Sequence, residues 1–115
     1  MLVLNDLSDA KIRWLYGNCI ALIATAHEDF GLTPLEANTF GRPALALQAG
    51  GFLDTITPGV NGSFILAATP EAVVTAVEAH KSEEFVEDQV RAHADQYNPD
   101  RFGIRLRKVL SAAIR

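Results

Sequence analysis

The stretch that decides the fold runs Ile20-Ala-Leu-Ile-Ala24, then His27-Glu-Asp-Phe-Gly-Leu32, Thr33-Pro-Leu-Glu36, Gly41-Arg42 and Pro43-Ala-Leu-Ala-Leu47. Its two apolar runs are too short for helices and contain no polar residue, so each reads as a strand buried on both faces. Between them lie helix signals: Thr33 as cap, Pro34 at the first helical position, Glu36 three residues after the cap and Gly41 as terminator. Two strands joined through a helix are parallel, because a parallel pair needs a crossover.

Outward from this unit the same alternation continues. On the N-terminal side, Leu2-Val-Leu4 is strand-like. Ser8 caps a helix with Asp9 in its first turn, Leu7 and Ile12 placed as a staple, and Ile12, Leu15 and Tyr16 on one face, ending at Gly17. On the C-terminal side, Gly50-Gly51 is a turn, Phe52 to Ile56 a short helix, Pro58-Gly59 and Asn61-Gly62 are turns, and Ser63 to Leu66 is a strand. From about residue 70 the chain turns helical. Thr69-Pro70 starts a helix with Val73, Ala76 and Val77 on one face, Ser82 a second with Val86, Val90 and Tyr97, and Asn98-Pro99 a third with Phe102, Leu106, Val109 and Ala113. The expected fold is α/β with a largely parallel sheet, Rossmann-like and three-layered, in one domain over residues 1–115.

Composition narrows the function. The chain has 115 residues, 49% hydrophobic and 21% charged, which fits a globular domain with a real core. Fourteen acids against ten bases give a net charge of −4, which argues against a nucleic-acid partner. The single cysteine, Cys19, excludes an internal disulfide and a thiolate-rich metal site. No apolar run reaches the roughly 20 residues that span a bilayer and no secretory signal pattern opens the sequence, so the expected location is cytoplasmic.

The chemistry concentrates between Glu28 and Glu36, with seven residues between the two carboxylates. This segment follows a strand's carboxyl end, where parallel α/β sheets bind ligands. The helix opening near Thr33 offers unpaired N–H groups for phosphate, Gly31 allows close backbone approach, and carboxylates accept from hydroxyl donors. Each residue also has a structural explanation: Glu36 completes a capping box with Thr33, Glu28 and Asp29 are solvated loop charges, and Phe30 and Leu32 anchor the loop in the core. Arg42 is either a solvated loop charge or an anion ligand, Gly50-Gly51 a plain turn or a second ligand-facing one, and Cys19 an inert thiol. Neither a dinucleotide fingerprint nor a Walker loop occurs.

The ordered set Glu28-Asp-Phe-Gly-Leu32, Glu36-Ala37, Gly41-Arg-Pro43, Gly50-Gly51 and Gly59-Val-Asn-Gly62 resembles the donor-binding region of the retaining GT-B glycosyltransferases of group 1. Ser8 to Tyr16 and Asn98-Pro-Asp-Arg-Phe102 are similar to flanking segments of the same family. The resemblance implies a hexosyltransferase using a nucleotide diphosphate sugar, with no metal and no further cofactor. Glu28 would place the donor sugar's anomeric carbon as the catalytic residue. Asp29, Phe30, Gly31, Leu32 and Thr33 would line the donor, the amides of Phe30 to Leu32 on the sugar and Thr33 on the diphosphate, and Glu36 would bind the ribose hydroxyls. It also implies that the chain is the C-terminal, donor-binding part of a longer enzyme, without its acceptor domain and without the basic residues that usually meet the diphosphate. The part alone is then expected to be inactive, in a parent compatible with peripheral membrane attachment. Its sheet would lack a neighbour beside Ile20–Ala24, to be closed by Leu2–Leu4 or by pairing of two copies. The alternative is a non-catalytic α/β binding or interaction module derived from such a transferase; a hydrolase built on Glu28 and Glu36 is the third.

Overall fold

The structure is a computed structural model that describes residues 3–27 and 30–97. Glu28, Asp29 and the expected final helix lie outside the described residues. In chain order the elements are α1 (Asp9–Asn18), β1 (Leu22–Ala24), α2 (Leu32–Thr39), β2 (Ala44–Leu47), α3 (Phe52–Thr55), β3 (Gly62–Ile65), α4 (Pro70–Ala79), a 3₁₀ turn at Ser82–Glu84, and α5 (Glu87–Asp95). The three strands form a parallel sheet in the order β1-β2-β3. The fold is α/β, as the sequence predicts.

Register explains the core. Leu22 lies opposite Ala44 and Ala24 opposite Ala46, which in turn faces Phe64 across β3. These side chains share one sheet face and gather around Phe52 and Ile56 from the α3 segment. On the other face Leu45 and Ile65 are buried, but Ile23 is half exposed. Among the described residues β1 is thus an edge strand with incomplete cover, and the burial of Ile20–Ala24 expected on both faces is corrected. A three-residue edge cannot be shielded on the side where no strand adjoins it. Val3 and Leu4 carry no strand structure and are exposed, so the N-terminal segment does not close that edge in the described residues. Beside it, Ile12, Leu15, Tyr16, Cys19, Leu22 and Ile23 line an apolar groove of about 370 Å³.

Helix ends follow the sequence at some places and depart at others. Ser8 accepts from Lys11 N, and Thr69 from Ala72 N with Pro70 in the first turn, as the capping rules require. α1 runs past Gly17 to Asn18, whose side-chain amide donates back to Trp14 O. α2 ends in a Schellman motif, with Gly41 N donating to Asn38 O and Arg42 N to Ala37 O. Ser82 opens only the 3₁₀ turn: the Phe85 ring stacks on His80, the chain extends, and α5 begins at Glu87.

A buried amide pair, Asn38 and Asn61, locks these elements together. Asn61 donates to Asn38 Oδ1 and to Thr55 O, both at 2.9 Å, and accepts from Thr57 N at 2.7 Å. Asn38 donates to Arg42 O and Asn61 O. Thr55 O also accepts from His93 Nε2 of α5 at 2.9 Å, so the ring carries its proton on that nitrogen. The open carbonyl end of α3 is satisfied by side chains from two distant segments.

Candidate functional site

The loop after β1 leads into α2, whose cap is Gly31 rather than Thr33. Gly31 has φ 65° and ψ 39°, and among the described residues no side chain caps the helix. Thr33 and Pro34 are therefore the second and third helical residues, and the expected capping box does not form. The reason is the space around Gly31. A β-carbon there would lie 2.8 Å from the carbonyl carbon and oxygen of Gly51 and from Thr55 Oγ1. Only glycine lets α2 start this close to the turn before α3.

Two glycine turns, each following a parallel strand, are thereby pressed together. Gly50-Gly51 is more than a plain turn, since Gly51 is buried as the floor of α2's start. The amides of Gly31, Leu32 and Thr33 have no partner within the helix, and Pro34 has none to offer. They carry the positive end of the helix dipole. Phe30 and Leu32 are 77% and 58% exposed, against the expectation that they anchor the loop in the core. They flank the helix start as open apolar surface, while Thr33 is half-buried. Of the expected site residues, the structure brings Phe30, Gly31, Leu32, Thr33 and Glu36 to this one helix.

Freed from capping, Glu36 is exposed and its Oε2 accepts from the Tyr16 hydroxyl at 3.0 Å. It borders a cleft of about 770 Å³ between α2 and α5, with Leu32, Leu35, Thr39, Arg91 and Tyr97 on the walls. Tyr16 is the residue that the sequence missed, since its spacing assigns it only to a helix face. Its hydroxyl pKa is pushed up to about 12, first by burial and then by the bond to Glu36, so it is a neutral donor at any working pH. Unfolded tyrosine loses its proton near 10, so this contribution to stability is whole below pH 10 and falls away as pH rises toward 12. Wild-type chain is expected to lose stability relative to Tyr16→Phe across that window, measured by urea unfolding at successive pH values; parallel profiles would contradict the assignment.

Arg42 takes neither expected role. Its guanidinium donates to the carbonyls of Tyr16 and Gly17 and pairs with Glu87 at 3.6 Å, so it joins α1 to α5. Glu87 and Asp88 in turn meet Arg91, as solvent-exposed ion pairs along the start of α5. Cys19 Sγ rests on Tyr16 O at 3.4 Å, as a half-buried, unpaired thiol. Among the described residues, no group of three or more acids, histidines or cysteines is placed to hold a metal ion.

Residues 1–101 match the family described as glycosyl transferases group 1. The chain belongs to this family. As a group 1 glycosyltransferase chain it is 38% identical over 63 residues to the alpha-1,3/1,6-mannosyltransferase of Dictyostelium discoideum, covering 54% of this chain and 15% of that one. It is 34% identical over 77 residues to the lipopolysaccharide core biosynthesis mannosyltransferase LpcC of Rhizobium leguminosarum bv. viciae, covering 67% and 22%. Its structure is similar to that of Anabaena HepE in complex with UDP, with a TM-score of 0.67 and 26% identity over 90% of this chain and 30% of that chain. The complex of HepE with UDP-glucose gives 0.65 at the same identity. The group 1 chain thus spans less than a third of the length of each of these proteins.

Proposed function

We propose that this chain is the C-terminal, donor-binding part of a retaining glycosyltransferase that passes a hexose from a nucleotide diphosphate sugar to an acceptor held elsewhere in the protein. The observation that carries the reading is the Gly31 start of α2. It leaves first-turn amides open for a diphosphate and leaves the Glu36 carboxylate free of any capping duty. Similarity to a protein solved with UDP and with UDP-glucose supports the same ligand class.

In this reading the amides of Phe30, Gly31 and Leu32 meet the sugar, and Thr33 meets the diphosphate. Asp29 flanks the donor, Glu28 holds the sugar hydroxyls that set the anomeric carbon, and Glu36 accepts from the ribose. Fixed amides aimed at the departing diphosphate stabilise the charge that develops there, without a metal. The enzyme works in the cytoplasm, and transfer requires the acceptor side of the cleft, because the rate depends on holding both reactants in one geometry.

Glu36→Ala tests the reading. A hydrogen bond to a charged group contributes about 1.5–3 kcal/mol, so UDP or GDP affinity is expected to fall at least tenfold by calorimetric titration. Because Glu36 does not cap α2, stability is expected to change by less than about 1 kcal/mol, below what loss of a working cap usually costs. Unchanged nucleotide affinity would remove Glu36 from the site.

A further inference from the structure

We infer that Tyr16 is a positioning residue for the nucleotide ribose: through its hydroxyl it fixes the Glu36 carboxylate in the rotamer that receives a vicinal diol. The inference rests on the donor-site reading above and adds to it a residue from a different helix.

The geometry singles Tyr16 out. Its hydroxyl donates to Glu36 Oε2 at 3.0 Å. Its ring stacks on Phe40, with centroids 5.6 Å apart and planes at 29°. Its carbonyl accepts from Arg42 Nε at 3.3 Å. Phe40 and Arg42 are the residues on either side of Gly41 at the end of α2. The tyrosine is therefore registered against the far end of the same helix that carries Glu36, and its hydroxyl cannot turn away without breaking those contacts. An exposed glutamate without such a tie samples several rotamers and loses that freedom when a ligand binds. With Oε2 holding one donor, Oε1 keeps both of its lone pairs and Oε2 keeps one. That arrangement accepts two hydroxyl donors on adjacent carbons. The donor stays protonated throughout the working range, so the orientation does not switch with pH.

Two ligands separate this role from a structural one. UDP and 2′,3′-dideoxyuridine diphosphate are titrated against the chain, Tyr16→Phe, Glu36→Ala and the double variant. Phenylalanine keeps the ring on Phe40, and circular dichroism checks that each variant is folded. Tyr16→Phe is expected to weaken UDP about three- to tenfold, the range set by ordering one flexible side chain. It is expected to leave the dideoxy ligand unaffected and to add nothing in the Glu36→Ala background. A 4-aminophenylalanine at position 16, which restores a donor on the same ring, is expected to recover UDP affinity, and this arm also serves if Tyr16→Phe fails to fold. Equal weakening of both ligands, a further loss in the Glu36→Ala background, or UDP affinity untouched by Tyr16→Phe while Glu36→Ala weakens it, overturns the inference and leaves the donor site standing. UDP binding that ignores Glu36→Ala, or no UDP binding by the wild-type chain, removes the donor-site reading and the inference with it.

Discussion

Gly31→Ala is expected to abolish nucleotide binding and to destabilise the chain by about 3 kcal/mol. The left-handed backbone at this residue costs an L-amino acid roughly 1–2 kcal/mol. The added methyl would stand 2.8 Å from Gly51 backbone atoms and Thr55 Oγ1. Backbone cannot yield as a flexible side chain does, and such overpacking costs about 1–3 kcal/mol. For a domain of this size the melting temperature is expected to drop by about 15 °C. Relief of the clash moves α2's first turn off the Gly51 turn, which takes the open amides with it. Gly59→Ala is the control. It shares a positive φ, but nothing lies within 4 Å of the added carbon, so it should lose only the backbone share and keep UDP binding. Calorimetric titration of both variants decides the matter. Undiminished UDP affinity in Gly31→Ala would mean that the diphosphate is held somewhere other than the start of α2.

Asn61→Ala is expected to cost about 3–5 kcal/mol, a large share of the 5–15 kcal/mol that holds a typical domain together. The side chain is fully buried and makes three hydrogen bonds, to Asn38 Oδ1, Thr55 O and Thr57 N. Removing it leaves Asn38 Oδ1 without that partner in the interior and Thr57 N without it at a part-buried position, while Thr55 O keeps its bond from His93. A buried polar group stripped of its partner costs about 1–3 kcal/mol, and the part-buried Thr57 amide and the lost packing add to it. Urea unfolding measures the loss; a value below about 1.5 kcal/mol would indicate that water enters and takes over the bonds.

Local chemistry was legible wherever one residue type decides it. The apolar runs at Ile20–Ala24 and Pro43–Leu47, the caps at Ser8 and Thr69 and the terminator Gly41 all mark elements that the structure contains, with the strands shortened to Leu22–Ala24 and Ala44–Leu47. The placement of Phe30 to Glu36 at one helix start after a strand was legible too. What failed was competition between neighbours. Thr33, Pro34 and Glu36 spell a capping box, yet Gly31 wins the cap because α2 must approach Gly51, and that contact joins residues 20 positions apart. Ile23 looks like a fully buried strand residue until the sheet order makes its strand an edge. Tyr16 to Glu36, Arg42 to Glu87 and Asn61 to Asn38 span 20 or more residues each, and no periodicity carries such pairings.

The α1 helix contains no buried residue. Among the described residues, its cross-links to α2 and the chain that follows gather at one end, through Tyr16 and Gly17 to Glu36, Phe40 and Arg42. An element held that way detaches as a unit at a small fraction of the free energy needed to unfold the sheet. Its amides would then exchange with solvent deuterium long before those of Ala44–Leu47, in subglobal excursions that leave the core intact. Because the same tyrosine that moors this helix also holds Glu36, occupancy of the carboxylate and attachment of the helix become one linked equilibrium. A ligand bound on one side would slow exchange on the other.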